Sequence, residues 1–180
     1  MKRSVGFILL FLLSLSLAAP SSECMIDTME YHSYYSEREF ELFAHQLAYI
    51  ESRDNETVVN SIGAIGLYQF MPATLRRIGY GYVTLEAFKH DPGIFDREAQ
   101  YNALKELICV NEIDLIPYYN FIGDTISGIK ITKAGLLGGM HLGGIGAISL
   151  FLLSDGLIDR SDINGTRISN YIKTFGIYEF

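Results

Sequence analysis

The pair Glu51-Ser52 is followed, after a polar and loop-like stretch, by Gly63-Ala64-Ile65-Gly66-Leu67-Tyr68-Gln69-Phe70-Met71-Pro72-Ala73-Thr74. These two pieces decide how the chain is understood. Upstream of the first, Phe40, Phe43, Leu47 and Ile50 recur at helical spacing. Ser36 followed by Glu39 reads as a capping box, which predicts a helix from Ser36 to about Ser52. Glu51 then stands at the C-terminal end of that helix, roughly 40° around from Leu47 and beside the apolar stripe. Partial desolvation and the negative end of a helix both favour a neutral carboxyl. A glutamic acid that keeps its proton near neutral pH is what a general acid for a glycosidic bond requires. Taken alone, Glu51 is more simply a solvated carboxylate at a helix end.

The second piece changes that balance. In order and spacing, the two pieces resemble the lytic transglycosylases that share the goose-type lysozyme fold. In that family a catalytic Glu followed by Ser ends one helix, and a Gly-Leu-Met-Gln segment and Met-Pro-x-Thr follow at about this distance. Here Tyr68 stands where Met is usual, and Phe70 where Ile or Leu is usual. The chemistry of the segment suits a sugar. Gly63 and Gly66 allow close backbone approach. Gln69 offers an amide donor and an acceptor for an N-acetyl group, or a hydrogen bond to its own loop. Tyr68 can lay an amphipathic ring against a sugar face. Leu67, Phe70 and Met71 read as core, and Thr74 as structural.

Downstream the family carries Ala-Tyr-Asn-x-Gly in the floor of its cleft. This chain has Met140-His141-Leu142-Gly143-Gly144 there, so the Gly matches while His and Leu replace Tyr and Asn. His141 is expected either to hydrogen-bond a glycan hydroxyl or carboxylate, or to be a satisfied histidine between helices. Thr166-Arg167-Ile168-Ser169-Asn170-Tyr171-Ile172 loosely resembles the family's Thr-x-x-Tyr-Val piece, with a different spacing. The resemblance implies that Tyr171 is the tyrosine that hydrogen-bonds near the acid; an ordinary half-buried helix Tyr is the alternative. It implies Glu51 as catalytic residue, with Ser52, Gly66, Tyr68, Gln69, His141, Gly144 and Tyr171 around the substrate. The implied reaction is non-hydrolytic cleavage of the β-1,4 bond between N-acetylmuramic acid and N-acetylglucosamine, leaving 1,6-anhydro ends. A hydrolase of this fold usually needs a second carboxylate to orient water. The nearest in sequence, Asp54, is expected to point away or cap the loop, so a lysozyme-type hydrolase is the runner-up.

Composition fits this and excludes other classes. The 180 residues are enough for one domain with a real core, and 49% apolar against 19% charged residues excludes a disordered chain. A formal charge of −7 without Lys/Arg clusters argues against nucleic acid as partner. The four histidines are scattered and no Cys/His cluster has metal-ligand spacing, so neither metal nor cofactor is implied. Lys2 and Arg3, the apolar run Val5 to Leu17 and the small-x-small site Ser16-Leu17-Ala18 read as a secretory signal. Without it, 12 basic residues face 21 acidic ones, a balance of −9. The expected organisation is a signal peptide at 1–19, an N-terminal extension at 20–35 and a lysozyme-like transglycosylase domain at 36–180, periplasmic or secreted. In that compartment Cys24 and Cys109 are equally open to pairing or to remaining free thiols.

The fold class expected is mainly α: one lysozyme-like helical domain with a glycan-binding cleft. Met71-Pro72 suits a helix start and Gly79 its end. Asp96 can cap a helix through Ala99, Ala103, Leu104, Leu107 and Ile108, and Thr132 another that enters the glycine-rich stretch. Asn164 to Phe175 reads as a last helix, and Val83 to Leu85 is only faintly strand-like. The expected partners are peptidoglycan strands and, for a small chain without a wall-anchoring module, a secretion or envelope-spanning assembly. Two competing classes stand beside this. Ala134 to Leu153 carries no formal charge and has small-xxx-small pairs at Gly135, Gly139 and Gly143, as in a membrane-inserting protein. A buried helix pair inside the domain explains the same glycines. The altered downstream motif also fits a catalytically inactive glycan-binding or assembly protein.

Overall fold

The computed structural model describes residues 33–180. The signal at 1–19 and Cys24 lie outside the described residues. Cys109 is buried on a helix and is not a free thiol.

Six α-helices account for most of the described residues, in keeping with the mainly helical class expected: α1 (Ser33–Ser52), α2 (Pro72–Arg77), α3 (Leu85–His90), α4 (Arg97–Leu115), α5 (Lys133–Leu153) and α6 (Ile168–Phe175). Two 3-10 turns, Pro92–Phe95 and Ile116–Phe121, flank α4. A small antiparallel hairpin pairs β1 (Thr125–Ile126) with β2 (Ile129–Lys130). Its turn residues Ser127 and Gly128 both have positive φ, the geometry that matches the strand twist in a two-residue turn.

Helix starts follow local chemistry. The side chain of Asp96 accepts from the Ala99 amide, and that of Thr132 accepts from the Gly135 amide. Pro72 occupies the first turn of α2, where its missing N–H costs nothing. Three expectations are corrected. Ser36 does not cap α1, which begins at Ser33 and has Ser36 within it. Val83 to Leu85 is not a strand: Thr84 caps α3 through Ala87 and Leu85 begins that helix. The last helix starts at Ile168 rather than Asn164, because residues around Asp162 form a turn in which its carboxylate accepts from the Asn164 and Thr166 amides.

One core unites these elements. Phe43 and Leu47 of α1, Phe70, Phe88, Phe95, Leu104 of α4, Phe151 of α5 and Phe175 of α6 are fully buried. Each such side chain contributes about 1.5–3 kcal/mol. Phe43 and Phe175 meet at 4.8 Å between ring centroids, so the first and last helices share the same apolar centre.

The glycine stripe of α5 is consumed by this packing. A Cβ on Gly135 would lie 2.6 Å from the Ile172 carbonyl oxygen, and one on Gly143 would lie 2.6 Å from Ile168 Cδ1. Close approach of α6 therefore needs these positions bare. The helix is long and apolar enough to cross a membrane by length and composition, but half of its most apolar window is buried in the domain. It is also not continuous. Gly144 has φ 66° and ψ 178°, a backbone region essentially restricted to glycine, and splits α5 in two.

Candidate active site

Glu51 lies at the end of α1 with its side chain 16% exposed. Its position follows from the stripe that buries Phe43 and Leu47, since one more turn carries the carboxyl to the rim of the core. The Tyr171 hydroxyl, from the middle of α6, donates to Glu51 Oε1 at 2.6 Å. Burial first, and then the charge and hydrogen bond of Glu51, hold the Tyr171 hydroxyl far above the usual tyrosine range. Tyr171 therefore keeps its proton and is the donor. Among the described residues no hydrogen bond to Oε2 is present.

The third member of the group is His141, on α5 three residues before the break at Gly144. Its Nε2 lies 2.7 Å from the Tyr68 carbonyl oxygen and 3.9 Å from Glu51 Oε1. A carbonyl only accepts, so Nε2 carries the proton. The ring sits edge-on to Phe70, and Nδ1 is buried without a partner among the described residues.

The remaining expected site residues build the frame. The Ser52 hydroxyl is spent on the helix end, donating to the Ala48 carbonyl and accepting from the Asn55 amide. Gln69 adopts a left-handed backbone and its Nε2 donates to the Gly66 carbonyl at 2.7 Å, closing its own loop. Tyr68 is 4% exposed with its ring in the core against Phe70, so its backbone carbonyl is what meets His141. Gly66 combines φ +73° with a position where a Cβ would collide with the Gln100 carboxamide. That collision is the structural reason for glycine at Gly66. Gly144 is exposed at the helix break, with open space where a side chain would be.

Gln100 is the residue that sequence reasoning missed. It is fully buried on α4. Its Oε1 accepts from the Leu67 amide at 2.6 Å, and its Nε2 donates to the Glu56 and Phe95 carbonyls. One side chain thus ties both ends of the loop from Glu56 to Leu67 to α4. Asp159 is the second. Its carboxylate accepts from the amide and hydroxyl of Ser169, supplying the cap that the N-terminal residue of α6 lacks and orienting the helix that carries Tyr171. No local motif announces either contact.

Residues 31–93 match the transglycosylase SLT domain. The matched segment holds α1 with Glu51 and the loop of Gly66 and Gln69, while His141, Gly144 and Tyr171 lie beyond it. The transglycosylase SLT match supports a lytic transglycosylase-type activity on peptidoglycan, and the mainly helical domain agrees with the lysozyme-like fold expected of it. No curated protein and no solved structure matches the chain.

The carboxylate nearest to Glu51 in sequence, Asp54, has φ 62° and is paired with Arg97 at 2.9 Å, alongside Glu56 at 2.6 Å from the same guanidinium. A hollow of about 500 Å³ flanks α1 beside Ala44, Ala48, Tyr68 and Tyr101, but Glu51 does not line it. Among the described residues no group of three or more His, Cys, Asp or Glu is placed to hold a metal ion.

Proposed function

We propose that the chain cleaves the β-1,4 bond between N-acetylmuramic acid and N-acetylglucosamine in peptidoglycan without hydrolysis, with Glu51 as acid and then base. The Glu51 carboxyl, through Oε2, gives its proton to the glycosidic oxygen as the C1–O bond breaks. The C6 hydroxyl of the muramic acid then bonds to C1, and its proton passes to the Glu51 carboxylate. The product is a 1,6-anhydro end and the glutamic acid is regenerated. One carboxyl suffices because the nucleophile belongs to the substrate.

The observation that carries this reading is the 2.6 Å bond from Tyr171 to Oε1, which fixes one oxygen of a largely enclosed carboxyl and leaves the other open. The pairing of Asp54 with Arg97 favours the non-hydrolytic route, since that carboxylate is already committed. On this reading the chain acts on the wall outside the cytoplasm, after removal of residues 1–19 as a signal peptide, and a secretion or envelope-spanning assembly is the partner class that fits.

Mass spectrometry of purified peptidoglycan digested with wild type and Glu51→Gln tests it. Anhydro-muropeptides from wild type alone are expected. Hydrated reducing ends would replace the proposal with a lysozyme-type hydrolase. Binding to sacculi without any product would replace it with the glycan-binding reading.

A further inference from the structure

We propose that His141 is a positioning residue for the Glu51 carboxyl. Its Nε2–H locks α5 to the Tyr68 carbonyl, and that edge of the ring stands 3.9 Å from Oε1 as a wall. This keeps Oε1 turned to Tyr171 and Oε2 turned to the substrate. The inference rests on the proposed function and deepens it.

The geometry argues against a role in holding sugar. The side chain is 7% exposed, and its Nε2 proton is committed to the Tyr68 carbonyl at 2.7 Å. At 3.9 Å, Nε2 is too far to hydrogen-bond Oε1 directly, so the ring acts as a wall with a positive edge rather than as a ligand. The cost is visible on the other side of the ring. Nδ1 is buried with no partner among the described residues. A buried polar atom left without a partner is costly. A phenylalanine would fill much the same space against Phe70 without that cost. An imidazole that wastes one nitrogen is explained by the use made of the other. Its place also serves this end. The break at Gly144 ends the first half of α5 just beyond His141, so the ring stands near the end of a rigid segment pinned by α6.

Two groups face the Nε2 edge: Glu51 from α1, itself bonded by Tyr171 of α6, and the Tyr68 carbonyl. His141→Phe removes the donor and keeps the shape. His141→Gln restores an N–H of similar reach. With soluble glycan strands as substrate, His141→Phe is expected to lower kcat about tenfold or more while KM stays within about twofold, and His141→Gln to recover most of the lost rate. Wild-type kcat in His141→Phe, a loss confined to KM, or equal impairment of both variants would overturn the proposal.

A second readout needs no turnover. Exchange of the Tyr171 hydroxyl proton, followed by NMR, is expected to be slow in wild type and His141→Gln, and about tenfold faster in His141→Phe. Unchanged exchange in His141→Phe overturns the positioning role even if the wild type proves to make no anhydro product. If His141→Phe does not fold, the wild-type ring decides through its 15N shifts. A proton on Nε2 is required, and a neutral ring protonated on Nδ1 would end the proposal.

Discussion

The hydroxyl of Tyr171, on the last helix, donates to Oε1 of Glu51, at the end of the first, across 2.6 Å and 120 residues of chain. Three features help to keep these two groups in register. Asp159 fixes the start of the helix that carries the tyrosine, the bare face of α5 lets that helix approach, and the Phe43–Phe175 contact pins it to α1.

Tyr171→Phe removes only the hydroxyl. A hydrogen bond to a charged group is worth about 1.5–3 kcal/mol, so release of anhydro products should slow by roughly ten- to a hundredfold. The unfolding midpoint should fall modestly, because Oε1 loses its partner while the ring keeps its packing against Phe175. A rate within about twofold of wild type would remove Tyr171 from the site.

Gln100→Leu leaves the Leu67 amide and the Glu56 and Phe95 carbonyls without their partner. Each buried group left unmade costs about 1–3 kcal/mol, so a loss of about 3 kcal/mol or more is expected in denaturant unfolding. A loss below about 1 kcal/mol would show that the loop does not depend on it.

Two glycines of α5 should respond with opposite signs. A Cβ at Gly138 would lie 2.8 Å from Phe175 Cβ, whereas one at Gly146 meets nothing within 4 Å. Alanine gains about 1 kcal/mol of helix propensity at either place. At Gly138 overpacking costs about 1–3 kcal/mol and displaces α6, so Gly138→Ala should lower both stability and turnover. Gly146→Ala should be neutral or mildly stabilising. Thermal unfolding of the pair checks this, and equal effects would contradict the packing described here.

Asp54→Asn tests the choice between lyase and hydrolase. The Asp54–Arg97 pair is half exposed, so its loss should cost at most about 1 kcal/mol. Turnover should be unchanged. A large fall in rate with the fold intact would give Asp54 a role in activating water.

Burial raises the hydroxyls of both Tyr68 and Tyr171 above the usual tyrosine value of 10.0. Their folded values exceed the unfolded one, so the stability they contribute is complete below about pH 10 and is lost as pH rises beyond it. A spectrophotometric titration should show two tyrosines that ionise only as the protein unfolds. Ionisation of all the tyrosines in one step near pH 10 with the fold retained would contradict the enclosure of the site.

What the sequence revealed was local. Asp96 and Thr132 were legible as caps because each bonds an amide three residues on. Glu51 was legible only with the Gly63 to Thr74 segment beside it, since helical periodicity alone sets it next to Leu47 and leaves it a helix-end carboxylate. The start of α1 was misread because Ser36 and Glu39 form a capping pattern inside a helix that begins earlier. The short helix α3 escaped notice because six residues carry too little periodicity to outweigh Val83 and Thr84. For Gly66 the sequence suggests close approach of a sugar and does not reveal that a Cβ there would meet Gln100, and Gln100 itself gave no sign, since its partners lie up to 44 residues away. His141 stood at the expected place, but only tertiary structure supplies the Tyr68 carbonyl that commits its proton.

The distance along the chain between Glu51 and Tyr171 also orders events in time. A ribosome delivers the glutamate 120 residues before the tyrosine, and joining them closes a long loop at an entropic cost. A chain released before Ile168 holds the acid without the group that orients it. On the proposed function, a copy cleaved within α6 is expected to lose turnover, because the hydroxyl that meets Glu51 is no longer held in place.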